Sequence, residues 1–444
     1  MLHRLNRPTR YGSAATKAGK GLALRAVRRY QRAMENTRKV MVVFGTRPEA
    51  IKVAPLIKAL ENDPRFTLCT VSTGQHREML WPILEWFTIK PTHTLDVMAP
   101  GQPLAFLSGK LLAGLHTLME AEQPDVVMVQ GDTTTAFMAA LTAYYGYDYF
   151  VRNEKGTAAS GRHHIHIAHI EAGLRTYNNY APFPEEVNRK LIGHMATWHF
   201  APTANAAEAL FKESITDNVF ITGNPVIDAL HLTVERLADM AASGNPLPLP
   251  HGLTEDQLAK PFILVTGHRR ENYGEGFDHI CNAISTLAER YPTHNFIYPV
   301  HLNQHVQGPV HAKLGGIPNV ILTQPLDYPS FVDLMRRCHL ILTDSGGVQE
   351  EGPALGKPVL VMRNVTERPE GVLAGTNRLI GTSEDSIISN VAELLDNPAA
   401  YTAMAHAANP YGDGLSVRRI LNLLAGDTAA ANTFTPNYGG SGAV

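Results

Sequence analysis

Residues 40–61, VMVVFGTRPEAIKVAPLIKALE, join a short apolar run to an amphipathic stretch. The run at 40–44 predicts a β-strand, and the stretch at 49–61 predicts a helix. The same order returns at 66–87 and at 125–145, where apolar runs again precede helical segments. Because these strands lack polar alternation, both of their faces are expected to be buried, as in a parallel sheet that helices cover on both sides.

The strand-then-helix order begins again in the second half of the chain, after an expected loop region at 220–230 and a proline-rich stretch at 244–252. Its apolar runs are FILVTG (262–267), NFIYPV (295–300), NVILTQ (319–324), HLILTD (339–344) and PVLVMR (358–363). The sequence therefore predicts an α/β fold with two Rossmann-like, doubly wound domains that face each other across a cleft. Such sheets bind ligands beyond the carboxyl ends of their strands, so the loops at those ends are the candidate functional segments.

The chain is expected to divide into domains and flanking segments. Residues 1–39 form a basic, disordered extension, residues 40–223 the N-terminal domain, and residues 224–409 the C-terminal domain. A C-terminal helix at about 410–426 packs back on the N-terminal domain. Residues 427–444 form a disordered tail, because they are rich in Thr, Ala, Asn and Gly.

The composition places the chain among globular proteins. Of its 444 residues, 44% are hydrophobic and 18% are charged, and no apolar run is long enough to cross a bilayer. Its three cysteines, Cys69, Cys281 and Cys338, lie far apart and form no CxxC motif. This spacing argues against a disulfide framework and against a cysteine zinc site, and it favours a reducing cytoplasmic location.

The formal net charge of −2 conceals a basic amino-terminal segment. Residues 1–39 hold eleven Lys and Arg residues, whereas Glu35 is their single acidic residue. The segment is Arg-rich and acid-poor like a transit peptide or a nucleic-acid-binding arm, but it lacks the apolar core of a secretory signal. We interpret it as a disordered extension or as the result of a start assigned too far upstream, and we expect no nucleic acid partner.

The segment DSGGVQEEG (344–352) follows a predicted strand and begins a predicted helix. Ser345, Gly346 and Gly347 would place free backbone amides at that helix start, where a phosphate is stabilised. A tight turn followed by an acidic first helical turn explains the same residues without a ligand. The loops GHRREN and RNVTERPEG at neighbouring strand ends favour the phosphate. No Walker A or GxGxxG motif occurs, so a nucleoside diphosphate is preferred to a triphosphate or a nicotinamide.

Four further residues suit a nucleotide site. Arg47 and Lys52, in GTRPEAIK, could supply positive charge to a diphosphate. Without a ligand, the same two residues would be an arginine at a helix start and a solvated lysine. Glu350 and Glu351, in the first turn of the helix after DSGG, could accept hydrogen bonds from ribose hydroxyls.

Candidate proton-transfer groups also follow the predicted strands. Asp132 in QGDTTT and Glu171 in HIEAG come directly after apolar runs, and Glu185 lies in the proline-held loop that follows. Asp132 could instead cap the next helix. His268, in TGHRREN, is the side chain best suited to proton transfer near neutral pH, and the adjacent Arg269 could bind phosphate.

A histidine cluster in RHHIHIAHIEAG (162–173) raises the question of a metal site. It contains His163, His164, His166 and His169. The alternation in HIHIAHI instead predicts a strand with one polar face, and no acidic or cysteine residue completes a known ligand spacing. We therefore expect no metal.

Ten motifs, taken in order, resemble those of the non-hydrolysing bacterial UDP-N-acetylglucosamine 2-epimerases. They are FGTRPEAIK, GQHREML, QGDTTT, HIEAGLRT, PFPEEVNR, ITGNPVIDAL, TGHRREN, LTDSGGVQEE, GKPVLVMR and TERPE. The resemblance runs from about residue 40 to about residue 424.

The resemblance implies a glycosyltransferase-B-like architecture, a UDP-sugar in the cleft with its UDP on the C-terminal domain, a homodimer and no cofactor. Members of the family interconvert UDP-N-acetylglucosamine and UDP-N-acetylmannosamine. They remove the proton on sugar carbon 2 and expel UDP, which gives a 2-acetamidoglucal, and then add both back with the opposite configuration. The product is expected to supply the synthesis of a cell-surface polysaccharide.

The resemblance also assigns expected roles to residues. Asp132, Glu171, Glu185 and His268 match the catalytic positions of the family. The UDP-binding positions are matched by Arg47, Lys52, Ser345 and Glu351, and Arg189 is a further candidate. Gln75, His76 and Arg77 match the loop through which several members bind UDP-N-acetylglucosamine as an allosteric activator.

Two segments depart from the family pattern: the basic extension and a polar insertion at about 148–164. Four different functions also fit the motifs. A hydrolysing relative would release free N-acetylmannosamine, although the QHRE loop argues against it. A relative could act on a 2,3-diacetamido uronic acid nucleotide. A glycosyltransferase of the same fold and a non-enzymatic nucleotide-sugar sensor would each bind a similar ligand.

Overall fold

A computed structural model describes residues 37–75, 77–99, 101–152, 165–248, 252–428 and 434–435. The expected extension at 1–39 therefore lies outside the described residues except for its last three, and most of the expected tail after residue 428 lies outside them as well. None of the described helices is both long enough and apolar enough to cross a membrane.

The described strands form two sheets. The first contains β1 (Arg38–Phe44), β2 (Phe66–Ser72), β3 (His93–Thr94), β4 (Val126–Gln130), β5 (His166–Ile170), β6 (Trp198–Ala201) and β7 (Val219–Ile221). The second contains β8 (Phe262–Thr266), β9 (Asn295–Pro299), β10 (Val320–Thr323), β11 (Leu340–Thr343), β12 (Val359–Val361) and β13 (Asn377–Leu379).

Helices connect the strands of each sheet. They are α1 (Arg47–Glu61), α2 (Arg77–Trp86), α3 (Leu104–Glu122), α4 (Thr134–Arg152), α5 (Glu185–Met195), α6 (Ala204–Lys212), α7 (Pro225–Ala242), α8 (Glu255–Ala259), α9 (Glu275–Arg290), α10 (Gln304–Leu314), α11 (Tyr328–Arg337), α12 (Val348–Ala354), α13 (Pro369–Leu373), α14 (Glu384–Asp396), α15 (Pro398–Ala405) and α16 (Ser416–Leu424).

Both sheets are parallel and doubly wound. The strand order is β3-β2-β1-β4-β5-β6-β7 in the first sheet and β10-β9-β8-β11-β12-β13 in the second. Every described strand pair is parallel. The order reverses beside β1 in one sheet and beside β8 in the other, and the crevice at such a reversal is where ligands bind. The prediction of two Rossmann-like α/β domains is confirmed.

The first strand and helix show how the sequence produces this fold. Residues 40–44 are fully buried, as their unbroken apolar run requires. Thr46 caps α1 in a capping box with Glu49, whose carboxylate accepts hydrogen bonds from the amides of Gly45 (3.0 Å) and Thr46 (2.8 Å). Because this cap precedes Pro48, the helix begins two residues earlier than predicted.

The expected loop region at 220–230 is wrong in part. It contains the end of β7 and the start of α7. Asn224 caps the amino terminus of α7, and Pro225 is the first residue of that helix. Proline suits the first helical position because its missing N–H would have no partner there. Part of the predicted insertion at 148–164 is likewise helical, since α4 extends to Arg152. Residues 153–164 lie outside the described part of the chain.

Helix α7 lies between the two sheets. It packs against α1 on one side and against α11 and α12 on the other, and α16 packs on both α1 and α7. One apolar cluster therefore includes Leu56 of α1, Leu230 of α7, Val332 of α11 and Ile420 of α16. This packing places the carboxyl ends of β4, β5, β8 and β11 near a common junction. The predicted domain limits, 40–223 and 224–409, stay predictions.

Candidate active site

Glu171 lies at the centre of the junction between the sheets. It follows β5, is 6% exposed, and has a left-handed backbone with φ of 62°. A non-glycine residue rarely adopts this conformation unless its surroundings hold it there. Its carboxylate accepts hydrogen bonds from Lys52 Nζ (2.6 and 2.7 Å), from Asn224 Nδ2 (2.9 Å) and from the amide of Gln130.

These partners keep Glu171 ionised. Burial by itself would raise its pKa, but the charge and hydrogen bonds of Lys52, the charge of Arg368 and the Asn224 hydrogen bond outweigh burial, so the pKa lies below its ordinary value. Lys52 in turn has a raised pKa, because Glu171 and Glu350 outweigh its own burial. The interpretation of Lys52 as a solvated lysine is wrong, since its side chain is 16% exposed and paired.

Asp132 follows the neighbouring strand β4 and is held by α5. Arg189 donates a hydrogen bond to Asp132 Oδ2, and Asn188 Nδ2 donates to the Asp132 carbonyl at 2.9 Å. Burial raises the pKa of Asp132, an effect that the Arg189 charge only partly offsets and that the Glu171 charge reinforces. The pKa values of these two carboxyls are therefore shifted in opposite directions. Arg189, predicted as a UDP ligand, points to Asp132 in this structure.

The two glutamates of PFPEE have different environments. Glu186 is fully buried, and its carboxylate accepts hydrogen bonds from the amides of Thr176 (2.9 Å) and Tyr177 (3.0 Å), so it fixes the preceding loop. Glu185 is the first residue of α5 and is half-buried. Among the described residues its carboxylate has no hydrogen-bond or ion-pair partner.

His268 follows β8 in the second domain. The Asp344 carboxylate accepts hydrogen bonds from the amides of His268 and Arg269 at 2.9 Å each, and its other oxygen lies 3.5 Å from His268 Nδ1. The imidazole stacks on His301 with ring centroids 5.4 Å apart. Burial lowers the pKa of His268 more than Asp344 raises it, so the neutral ring is favoured.

The predicted phosphate loop lies between β11 and α12. The amide of Ser345 donates to the Thr343 hydroxyl at 2.9 Å, and Gly347 caps the helix. A Cβ on Gly346 would lie 2.6 Å from Arg368 Nη1, so any larger residue there would have to displace that guanidinium. Arg269 Nη2 lies 3.6 Å from the carboxylate of Glu367, which borders the same loop.

Arg47 and Glu351 lie where the two domains meet. The Arg47 guanidinium donates to the Leu326 carbonyl of the second domain at 3.3 Å. The Tyr328 hydroxyl donates to Glu351 Oε1 at 3.1 Å, and burial raises the pKa of Glu351 to about 7. The second oxygen of Glu351 borders the phosphate loop, since it lies 3.7 Å from the position that a Cβ on Gly347 would take.

Of the three predicted allosteric residues, only Gln75 is described in full. Its side-chain oxygen accepts a hydrogen bond from the Thr135 hydroxyl at 2.9 Å, beside Gly45. Arg77 begins α2, but its side chain lies outside the described part, as does the whole of His76.

The sequence reasoning missed four residues that hold this site together: Gln130, Asn224, Asp344 and Arg368. It also interpreted Glu350 as a ribose ligand, whereas the structure turns its carboxylate inward to Arg368 and to Asn224 Nδ2 (2.7 Å). Asn224 precedes a proline at a helix start, which signals a cap. No sequence signal indicates that its amide reaches two carboxylates.

The two described histidines of the HIHIAHI segment belong to none of the groups of possible metal ligands found among the described residues. His166 and His169 lie in β5, but His169 is 1% exposed and shares a hydrogen bond with the Gly131 carbonyl at 2.8 Å, so the predicted polar face is wrong. Burial lowers the pKa of His169 to about 3. His163 and His164 lie outside the described residues.

A different group, Cys69, His93 and Glu122, has ligand atoms within 4.8 Å of one another. Lys39 (2.5 Å) and His93 (2.7 Å) already occupy the Glu122 carboxylate, and Lys39 lies at the opposite end of β1 from the junction.

Comparison with known proteins identifies the family. The profile of UDP-N-acetylglucosamine 2-epimerases matches residues 58–147 and 154–425. The chain is 48% identical over 386 residues to a probable UDP-N-acetylglucosamine 2-epimerase of Ralstonia solanacearum, a match that covers 86% of this chain and 97% of that protein. It is 47% identical over 387 residues to the UDP-N-acetylglucosamine 2-epimerase of Yersinia pestis, covering 87% and 98%.

A solved structure agrees with these relatives. The crystal structure of UDP-GlcNAc 2-epimerase from Neisseria meningitidis bound to UDP-GlcNAc is similar with a TM-score of 0.75 and 43% identity, over 87% of this chain and 99% of that chain. The profile match covers most of the chain, and the relatives align over nearly their whole length. The chain therefore belongs to the UDP-N-acetylglucosamine 2-epimerase family.

Proposed function

We propose that the protein reversibly epimerises UDP-N-acetylglucosamine to UDP-N-acetylmannosamine at carbon 2 without releasing free sugar. Family membership supports the substrate class, and the Neisseria meningitidis relative is described bound to UDP-GlcNAc. The observation that carries the proposal is the pair of carboxyls after β4 and β5. Burial raises the pKa of Asp132, whereas Lys52 outweighs burial and lowers the pKa of Glu171, so their environments shift the two carboxyls in opposite directions.

This pair suits a proton exchange at carbon 2. A base removes the carbon 2 proton, its electron pair forms the carbon 1–carbon 2 double bond, and the bond between carbon 1 and the UDP oxygen breaks, giving 2-acetamidoglucal and UDP. The reverse steps return UDP to carbon 1 and a proton to the other face of carbon 2. In this proposal Glu171 accepts a proton and Asp132 donates one, with Glu185 and His268 as further proton-transfer groups.

The diphosphate is proposed to bind the second domain. The backbone at 345–347, Arg269 and Arg47 supply donors and positive charge, and Glu351 accepts hydrogen bonds from the ribose. Lys52 is assigned to Glu171, because its ammonium contacts both carboxylate oxygens in this structure.

We also propose that UDP-N-acetylglucosamine activates the enzyme through Gln75, His76 and Arg77. The hydrogen bond that Gln75 accepts from the Thr135 hydroxyl supports this, because it joins Gln75 to the start of α4, directly after the loop that carries Asp132. Turnover from UDP-N-acetylmannosamine alone should then begin with a lag, which added UDP-N-acetylglucosamine removes. Linear progress from the start would contradict the activation.

The reaction is tested by incubating the protein with UDP-N-acetylglucosamine and separating the products by chromatography. We expect UDP-N-acetylmannosamine and no accumulation of free sugar. Free N-acetylmannosamine with UDP would indicate the hydrolysing reaction, and unchanged substrate would favour another nucleotide sugar or a glycosyltransferase. The Asp132→Ala variant is the control, since full turnover in it would contradict the assignment of the site.

The homodimer, the cytoplasmic location and the supply of a cell-surface polysaccharide follow from the family resemblance and stay predictions.

A further inference from the structure

Asn224 lies where the chain leaves the first sheet. It follows β7, is 1% exposed, and caps α7 through its Oδ1, which accepts a hydrogen bond from the Val226 amide at 3.1 Å. Its own backbone amide donates to the Tyr411 carbonyl at 2.7 Å. The side-chain oxygen and the backbone N–H are thus both committed to fixing this corner of the chain.

The side-chain nitrogen of Asn224 joins two buried carboxylates that belong to different sheets. Nδ2 donates to Glu171 Oε1 at 2.9 Å and to Glu350 Oε2 at 2.7 Å. An amide nitrogen has two N–H groups, so both are used. The chemistry fixes the orientation of the amide, because its oxygen faces an N–H and its nitrogen faces two acceptors.

Charged groups surround this neutral bridge. Lys52 pairs with Glu171, and Arg368 pairs with Glu350 and also faces Glu171. Glu350 raises the energy of an ionised Glu171, and so do the effects of burial. A donor between the two carboxylates satisfies both without adding charge.

Glu350 also belongs to the proposed diphosphate site. It lies in the first turn of α12, directly after the loop 345–347, and it holds the arginine that lies against Gly346. The Asn224 amide therefore connects the proposed base in the first domain to the element that carries the phosphate loop in the second.

We propose that Asn224 is a positioning residue for the epimerisation, whose amide holds Glu171 in its reactive place. The inference rests on the proposed function, since the position of Glu171 matters only if Glu171 takes part in the reaction.

Two variants separate this role from helix capping. Asn224→Ser retains a capping oxygen, because serine caps helices about as well as asparagine, but its side chain is too short to reach both carboxylates. Asn224→Asp retains size and cap while replacing the donor by a third carboxylate. Asn397→Ser is the matched control, because Asn397 caps α15 from an exposed position.

The measurements are kcat and kcat/KM against pH, the dissociation constant of UDP by calorimetry, and the thermal midpoint. We expect kcat of Asn224→Ser to fall on the order of ten- to a hundredfold, which corresponds to loss of the charge-assisted hydrogen bond to Glu171, the one of the two lost bonds that reaches the proposed base. The kcat of Asn224→Asp should fall further than that of Asn224→Ser. UDP affinity should change by less than about threefold, and Asn397→Ser should match the wild type.

The pH profile distinguishes positioning from a structural role. In the wild type and in both Asn224 variants, the charged and titratable groups that face Glu171 are Lys52, Arg368, Glu350, Asp132 and His169. Loss of the Asn224 donor removes one group that stabilises the carboxylate, so the acid limb of kcat/KM should move to higher pH, and further in Asn224→Asp.

The outcomes separate this inference from the proposed function. A wild-type protein that does not epimerise refutes the function, and the inference with it. An active wild type with variants that keep its kcat and its acid limb refutes the inference alone. A fall in kcat that is the same at every pH and leaves the acid limb of kcat/KM unmoved also refutes the inference. So does a fall in kcat that merely follows a lower thermal midpoint. A moved limb with retained UDP binding supports it.

Discussion

Replacing Lys52 by methionine leaves Glu171 buried without its nearest counter-charge. The ammonium lies 2.6 and 2.7 Å from the two carboxylate oxygens, and the side chains are 16% and 5% exposed. Removing one partner of a buried ion pair destabilises a protein by about 3–5 kcal/mol. Because Arg368 still faces Glu171 while Gln130 and Asn224 still donate to it, we expect the lower end, about 3 kcal/mol.

This destabilisation should depend on pH. In the wild type the pKa of Glu171 lies below its ordinary value of 4.5. A depressed carboxyl pKa contributes stability above the unfolded pKa of about 4.3, and that stability is lost as the pH falls through the folded pKa. Without Lys52, burial dominates and the pKa of Glu171 rises. The deficit of Lys52→Met should therefore be full near neutral pH and shrink in acid, where Glu171 becomes protonated and uncharged.

The assay is urea unfolding of the wild type, of Lys52→Met and of the double variant Lys52→Met/Glu171→Gln, at about pH 8 and about pH 5. The double variant removes the buried charge and should recover more than half of the loss. Lys58→Met is the matched control in the same helix, because Lys58 and its partner Glu61 are each 36% exposed. An equal deficit at both pH values, or a double variant as unstable as the single one, would refute the reasoning.

Two further predictions concern the nucleotide end of the site. Gly346→Ala should weaken UDP binding by at least about tenfold in calorimetry, because its Cβ would lie 2.6 Å from a guanidinium nitrogen. Gly308→Ala is the control, because a Cβ on Gly308 meets nothing within 4 Å. If Gly346→Ala and Gly308→Ala bound UDP equally well, the close approach of Arg368 to Gly346 would not matter for UDP binding. Burial raises the pKa of Glu351 to about 7, so more carboxylate is ionised above that pH. Affinity for UDP-N-acetylglucosamine should therefore rise several-fold from about pH 6 to about pH 8, and Glu351→Gln should abolish this rise. A rise that persists in the variant would exclude Glu351 as its source.

Much of the fold follows from local sequence pattern. Residues 40–44 of β1 and 262–265 of β8 are unbroken apolar runs, and they are buried on both faces, as a central strand of a covered parallel sheet requires. Very short strands cannot be predicted from such runs. For example, β3 has only two residues and forms by pairing with β2. The start of α7 was missed for a different reason: Asn224 and Pro225 are turn formers as well as good residues for a helix start.

The sequence offered Asp132 and Glu171 as candidates, but it indicated neither their contacts nor the part played by Gln130, Asn224, Asp344 and Arg368. Strand ends in a parallel sheet meet at one edge, which is why Asp132 and Glu171 could be chosen from the sequence. The contacts of Lys52, Asn224 and Glu350 depend on how the two sheets sit around α7, and residues so far apart in the chain carry no shared local pattern. For the same reason, the inward direction of Glu350 could not be read from its place in an acidic helical turn.

Exchange of the carbon 2 proton with solvent is the step that defines the proposed epimerisation. Proton NMR of the protein with UDP-N-acetylglucosamine in heavy water follows the anomeric signals and the hydrogen at carbon 2 together. The account predicts UDP-N-acetylmannosamine that carries deuterium at carbon 2, because the removed proton exchanges with solvent before it is replaced. UDP-N-acetylmannosamine that retains the original hydrogen would contradict a proton exchange with solvent at this site, and an unchanged spectrum would contradict the epimerisation itself.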